Sequence, residues 1–467
     1  MRRGRGGLKT GQLTLVPLVL TLFCLVSGGP HGLENATKEA GPGMALLLVL
    51  VLPLLWAWPV ALMTAELTSA IPEEGGYYAW SKRALGKFWG FQCGWWTWLY
   101  SMADAAIYPV LFTSYTAAVL KMWTGSDLLA SDTPTGVLLR LLIAALMIGF
   151  FSWLNIRGIK LVGRASVFLG LFVMAPFAAM VLIAFVRGWP QPLPQIQHFV
   201  APDTDTIGAF AAGMYIVMWN YLGWDTLSTV TEEVERPERT FPRALLITIP
   251  IVSLAYILPV LAGLRFFPDY QLWEEGAWPL IAQAIGGDWL GNWVSLAALA
   301  SPIALFVTAV LGASRVPFVL AEDGYFPSPL LRTHPRFGTP HVSIIFCALI
   351  YLGLTTYFSF AELVELNVTL YVLSLLPELA ALLVLRIKEP NLPRPYRIPG
   401  GLPGVLLVVI APILVSAVAF WASWMDPAEG WQDQLPVLAL ILSGPIVYGM
   451  LRSKRPLQQE EASDAEL

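Results

Sequence analysis

Two short stretches decide the fold: 27-SGGPHG-32 near the amino terminus and 218-MWNYLGWDT-226 in the middle of the chain. The first cuts off an apolar run, Leu13 to Val26, that is shorter than the roughly 20 residues a helix needs to cross a bilayer. Glycine releases the backbone from helical geometry, and Pro30 has no N–H to continue the ladder. The segment resumes at His31 and continues to Glu39. The second stretch interrupts another apolar run at Asn220, Gly223 and Asp225. Gly28 and Gly223 lie 195 positions apart, and each opens a set of five apolar runs. Interrupted segments at corresponding places in two halves mark a secondary transporter built from inverted repeats. The plainer alternative for the first stretch is a helix that ends there and passes into an outside loop.

Composition agrees with a membrane protein. Of 467 residues, 56% are hydrophobic and only 13% are charged, against about 25% charged in soluble domains. The net charge of −4 gives no global basic surface for nucleic acid. Cys24, Cys93 and Cys347 lie inside apolar runs and suit packing thiols better than disulfides or metal ligands. The four histidines, His31, His198, His334 and His341, are scattered without metal spacing. No cofactor is expected, and an enzyme's nucleophile or acid–base constellation is not visible.

About twelve apolar runs follow one another, near 12–40, 42–70, 88–120, 136–155, 161–187, 206–230, 242–266, 289–318, 341–359, 362–386, 402–424 and 434–451. The expected organisation is a tail, 1–11, then one transporter domain, 12–451, then a tail, 452–467. Within the domain, 12–187 and 206–386 form the repeats and 402–451 adds two helices. Cytoplasmic loops hold the excess of Lys and Arg. With the amino terminus inside, 23 of the 28 Lys and Arg residues fall on inside segments. Only Lys38, Lys121, Arg140, Arg187 and Arg265 fall elsewhere. That asymmetry predicts both termini in the cytoplasm. It also opposes reading Arg2–Gly29 as a cleaved secretory signal, because the first segment must remain and cross.

Longer motifs carry a family resemblance. "IPEEGGYYAWSKRALGKFWGFQCGW" (71–95), "NIRGIK" (155–160), "EEVERPERTFPRA" (232–244), "SRVPFVLAEDGYFPSPLLRTHPRFGTP" (314–340) and "RPYRIPGG" (394–401) resemble the amino acid–polyamine–organocation superfamily. "VSGGPHGLE" (26–34), "WTWLYSMADAAIYPVLF" (96–112) and "LLPELAALLVLRIK" (375–388) are similar to plant-type polyamine uptake transporters, with His31 where those proteins usually carry an aromatic residue. The resemblance implies an all-α, LeuT-type core of five plus five helices, with broken helices 1 and 6; the plasma membrane is the default location. It also implies proton-coupled symport of putrescine, spermidine or spermine, and a gating role for Trp219. Some bacterial relatives carry a proton-linked lysine midway along the fifth span; residues 165–186 contain none.

The residues themselves offer a candidate site. Unwound backbone at membrane depth survives where it is buried or lines a cavity, which points to Ser27, Gly28, Gly29, Asn220 and Gly223 as substrate contacts. Pro30 withdraws a donor that a carboxylate would use at a helix start. Trp219, Tyr221 and Trp224 offer faces to an ammonium, or else pack against lipid and neighbouring helices. Glu34, Glu66, Asp104, Asp225 and Glu378 are acids in or beside apolar runs, where such groups face a cavity or bind something. Asp104 sits mid-span, four residues before Tyr108, so both lie on one helical face. A structural hydrogen bond to a broken helix is the other role for Asp104. Glu34 follows the first break by about one turn, within reach of a substrate amine. His31, Glu66, Asp225 and Glu378, with Trp219, are the candidates for proton coupling or gating, and His31 serves equally as a cap or packing group. The cytoplasmic acids and arginines of "PEEGG" and "EEVERPERTFPRA" suit inter-loop ion pairs. The expected function is proton-coupled polyamine uptake by alternating access. The alternative is an amino acid permease or amino acid/amine exchanger.

Overall fold

The computed structural model describes residues 14–72, 76–157, 159–188, 199–202, 204–226, 228, 234–322, 324–425 and 435–452. Each apolar run is helical there, and no β-strand occurs among the described residues. The first run is two helices, α1 (Leu15–Val26) and α2 (Leu33–Ala40). Next come α3 (Pro42–Leu52), a π-helical turn over Pro53–Ala57, and α4 (Trp58–Ala70) in one continuous rod. Then follow α5 (Gly76–Leu85), α6 (Lys87–Thr124), α7 (Pro134–Arg157), α8 (Ile159–Val186) and α9 (Thr206–Asn220). The remainder is α10 (Pro237–Phe266), α11 (Trp278–Gly286), α12 (Asp288–Ala313), α13 (Arg315–Glu322), α14 (His341–Tyr357), α15 (Phe360–Lys388), α16 (Gly401–Met425) and α17 (Leu435–Arg452).

Local chemistry sets several ends. Asp205 caps α9 by accepting the Gly208 N–H at 2.6 Å. Ser359 and Glu362 form a reciprocal capping box at the start of α15. The run expected over 206–230 is helical only to Asn220, because Gly223 takes a φ of +87° that a helix cannot use.

Among the described residues, eight helices are long and apolar enough to cross a membrane. Their arrangement is that of a protein with an apolar exterior. Helix α7 turns Leu138, Leu142, Leu146, Phe150 and Trp153 outward at helical spacing, each at least 45% exposed. A continuous apolar stripe of this kind is a lipid-facing surface. Helix α15 lies at the other extreme: 72% of its apolar window is buried, against 22% for α7. It packs along α6 and α5, while α2 packs against α9 and α1 against α10. The two interrupted segments are therefore neighbours, and α6, α10 and α15 supply the side chains around them. Cys93 and Cys347 are buried free thiols, and the side chain of Cys24 lies outside the described residues.

Candidate substrate and coupling site

The first break runs from Ser27 to Gly32, with Gly29 at φ +101° and Gly32 at +87°. Its carbonyls are largely spoken for. The Tyr256 hydroxyl lies 3.3 Å from the Val26 carbonyl, Ser301 Oγ donates to Gly28 at 2.5 Å, and Trp278 Nε1 donates to Pro30 at 2.9 Å. Beside Ser27 and Gly28 a cleft of about 20 Å³ opens toward Gly170 and Val173 of α8 and toward Ser301, Leu305 and Thr308 of α12. That is room for a single water-sized occupant.

Pro30 plays a different part from the one expected. The cap of α2 is Gly32, so Pro30 stands two residues outside the helix, and its carbonyl accepts the Leu33 N–H at 3.2 Å. Its missing N–H is not one of the first-turn donors; the donor it does take is the Leu33 N–H, through its carbonyl.

The second break is tied to the first through α10. The Tyr256 hydroxyl donates to the Asn220 carbonyl at 2.9 Å, and its ring meets Tyr221 at 5.3 Å. Tyr221 in turn donates to the Val49 carbonyl at 3.1 Å. Pro53, four residues on, has no N–H for that carbonyl, and the π-turn begins there. Tyr221 and Trp224 are fully buried, and Trp224 Nε1 has no hydrogen-bond partner among the described residues.

Asp104 occupies the space between these elements. Tyr108 places its hydroxyl 3.0 and 2.9 Å from the two carboxylate oxygens, and Trp219 Nε1 donates at 3.4 Å. The Trp219 ring meets Phe360 edge-on at 5.6 Å. A Cβ on Gly32 would come within 3.3 Å of both rings, so glycine is what lets the indole lie across the break. Asp104 remains half-exposed while Tyr108 is buried.

Glu34 and His31 belong to a separate, sealed group. Tyr115 donates its hydroxyl proton to Glu34 Oε1 at 2.5 Å, and His31 Nδ1 lies 2.9 Å from the same tyrosine oxygen. With the tyrosine hydrogen committed to Glu34, the histidine donates from Nδ1. Gly276 N–H reaches Glu34 Oε1 at 3.3 Å and binds the 268–277 loop to the break. His31 Nε2 and Glu34 Oε2 have no partner among the described residues. On that loop, burial pushes Glu275 up to about 7, against the opposing pull of Ser114 and Arg140. Lys38 pairs with Glu274 at 3.1 Å on the same side.

Three acids remain. Asp225 accepts the Tyr371 hydroxyl at 2.7 Å. Glu378 is fully buried without a hydrogen-bond partner among the described residues. Glu66 is enclosed by cations: Arg386 meets it with both Nε and an NH2 group at 2.5 Å, Arg394 lies at 3.3 Å, and the Ile398 N–H donates at 2.8 Å. Further out, Arg83 and Glu389 form a two-bond pair at 3.0 and 2.6 Å that holds the Glu389 carboxyl below its ordinary range. Among the described residues, no three His, Cys, Asp or Glu side chains are grouped as metal ligands.

Comparison with known proteins places the chain in a family. A family model described as amino acid permease matches residues 19–448. The chain belongs to the amino acid permease family. Within the amino acid–polyamine–organocation superfamily, the permease is similar to plant polyamine transporters. It is 37% identical to a probable polyamine transporter of Arabidopsis thaliana over 89% of this chain and 80% of that one. It is 36% identical to a polyamine transporter of Oryza sativa subsp. japonica over 89% and 75%. A branched-chain amino acid permease of Bacillus subtilis is 23% identical over 89% and 87%. The permease is thus a multi-pass membrane transporter and not an enzyme.

The permease brings Asp104, Tyr108, Trp219 and the Gly32 end of the first break together. It keeps Glu34 in the Tyr115 group and Glu66 among arginines. Sequence reasoning missed Tyr256, Ser301, Trp278, Tyr115, Phe360 and Tyr371. One signal was available: a polar side chain inside an apolar helix needs a partner, and broken helices supply orphan carbonyls. Glu73 and Glu74 of "PEEGG", and Glu232 and Glu233 of "EEVERPERTFPRA", lie outside the described residues. Asn35-Ala36-Thr37 fits a glycosylation sequon, and its Thr37 is fully buried and bonded to the Leu33 carbonyl at 2.7 Å.

Proposed function

We propose that this permease imports polyamines of the putrescine and spermidine class, coupled to protons, by alternating access. One observation carries the reading: a half-buried carboxylate, Asp104, is held by the Tyr108 hydroxyl and the Trp219 indole N–H beside the first break. A carboxylate at membrane depth needs a cation, and aromatic rings beside it, Tyr108 and Trp219, suit an ammonium. The arrangement suits an organic amine better than a metal ion. The relatives at 36–37% identity, all named as polyamine transporters, support it further. The reading includes twelve spans, with 12–187 and 206–386 as inverted five-helix repeats, 402–451 added, short tails at 1–11 and 452–467, and both termini in the cytoplasm of a plasma-membrane protein. Ser27, Gly28, Gly29, Asn220 and Gly223 shape the substrate site, and Trp219 is its gate.

A second reading, amino acid transport, is favoured by one feature. The missing N–H of Pro30 lies outside the first turn of α2, and a helix start suits a carboxylate, although the Pro30 carbonyl occupies the Leu33 N–H. Reconstituted uptake separates the two. Radiolabelled putrescine entering proteoliposomes down an inward proton gradient, without competition from leucine, arginine or glutamate, is the expected result. Uptake of an amino acid that no polyamine inhibits would replace the first reading with the second. Asp104→Asn removes a charge-assisted contact, and putrescine affinity should fall roughly 10- to 100-fold. Unchanged affinity would remove Asp104 from the site.

A further inference from the structure

Glu378 has no place in the substrate site, yet it is fully buried and neither of its oxygens has a hydrogen-bond partner among the described residues. It follows Pro377 within α15. Asp225, on the second break and 1% exposed, is tied by Tyr371 to the face of α15 that carries Glu378 two turns later. Among the described residues, the side chain that bonds Asp225 is Tyr371.

Among the described residues, no Lys, Arg or His bonds to or pairs with either acid. From α5 comes Tyr77, from α6 Cys93 and Tyr100, and from α15 itself Tyr371, and each feels both acids. The Cys93 thiol faces the Ser374 carbonyl at 3.6 Å. Helix α4 brings Glu66, which is already committed to Arg386 and Arg394. Of the other helices packed on α15, α9 carries only Tyr215, α16 no ionisable side chain, and α17 only Tyr448 before its terminal Arg452. No Lys, Arg or His acts on either acid among the described residues.

Two carboxylates in one dry site cannot both stay ionised without a cation. An ammonium or a metal ion needs volume and ligands. A proton needs neither, and complete burial selects it. We propose that Asp225 and Glu378 share one exchangeable proton and form the coupling site of the permease, apart from the substrate site at Asp104. The proton arrives from outside, is held as a carboxyl O–H on one acid or the other, and leaves to the inside. Asp225 rides on the hinge of the second break whereas Glu378 sits in a continuous helix, so movement at the hinge separates the acids and exposes the proton. This inference rests on the proton-coupled reading above.

Proteoliposomes holding the full chain test it with two assays on radiolabelled putrescine: accumulation under an inward proton gradient, and counterflow against unlabelled putrescine without a gradient. Wild type should show both. Glu378→Gln should keep counterflow and lose gradient-driven accumulation down to the gradient-free ratio, and Asp225→Asn should do the same. Gradient-driven accumulation equal to wild type in both variants overturns the site and leaves proton coupling standing. Wild-type accumulation indifferent to the gradient overturns the coupling reading and the site together. If the Gln variant does not fold, Glu378→Asp keeps the acid with a shorter reach. It should retain accumulation with a shifted pH profile, and a wild-type profile would overturn the assignment.

Discussion

Glu66 and Glu378 are both buried glutamates, on helices that pack against each other. Glu66 has two guanidinium groups and a backbone N–H around it; Glu378 has no hydrogen-bond partner among the described residues. The contrast separates two uses of a carboxylate at membrane depth. A compensated acid pins elements together: Glu66 ties α4 to the end of α15 and to the 394–398 loop. An uncompensated acid is stable only while protonated, and protonation is what a coupled transporter must change. Burial is the same in the two cases, so the neighbouring cations decide the role.

The sharpest way to break that comparison is at Glu66. Glu66→Ala strands Arg386 and Arg394 in a buried site, and loss of one partner from such a cluster costs about 3–5 kcal/mol. A large fall in detergent melting temperature is expected, whereas Glu378→Gln should melt at or above wild type. Equal destabilisation of the two variants would erase the distinction.

A smaller effect is expected at Tyr256, which reaches the carbonyls beside both breaks at 2.9 and 3.3 Å. Tyr256→Phe leaves buried acceptors without a donor, a loss of about 1–3 kcal/mol. Its signature is faster cleavage or labelling at the breaks, with putrescine affinity falling alongside stability. Normal stability in this variant would show that the breaks hold without α10.

The smallest effect belongs to Arg83 and Glu389, side chains 39% and 33% exposed. Arg83→Ala should cost at most about 1 kcal/mol and lose its effect in high salt. Because Arg83 lowers the Glu389 carboxyl in the folded state, the pair contributes fully above the ordinary glutamate range. That contribution is lost as pH falls through the lowered value. Melting curves at neutral and acidic pH, with and without salt, measure it. A salt-insensitive effect would mean that the pair acts as a buried lock like Glu66.

Much of this was legible in the sequence. Runs of apolar residues give the helices, because a bilayer leaves helical hydrogen bonding as the way to satisfy the backbone. Gly28, Gly29, Asn220 and Gly223 gave the breaks, because glycine and amide side chains weaken a helix from within. The Asp104–Tyr108 pair followed from a four-residue spacing on one helix. The partners of the other acids were not legible. Glu66 meets Arg386 across 320 positions, Tyr115 meets Glu34 across 81, and Tyr371 meets Asp225 across 146. Nothing local in a sequence tells a paired acid from a lone one.

The sequence by itself therefore determined that the chain is helical and apolar outside, where its helices break, and which acids sit at membrane depth. Those properties follow from periodicity, backbone freedom and solvation, which act over a few residues. Only the tertiary structure decided which acid is neutralised by arginine, which bonds the Trp219 indole N–H, and which is left with another acid for company. Those outcomes depend on contacts between helices far apart in the chain. A carboxylate's role is set by the charge that reaches it through space.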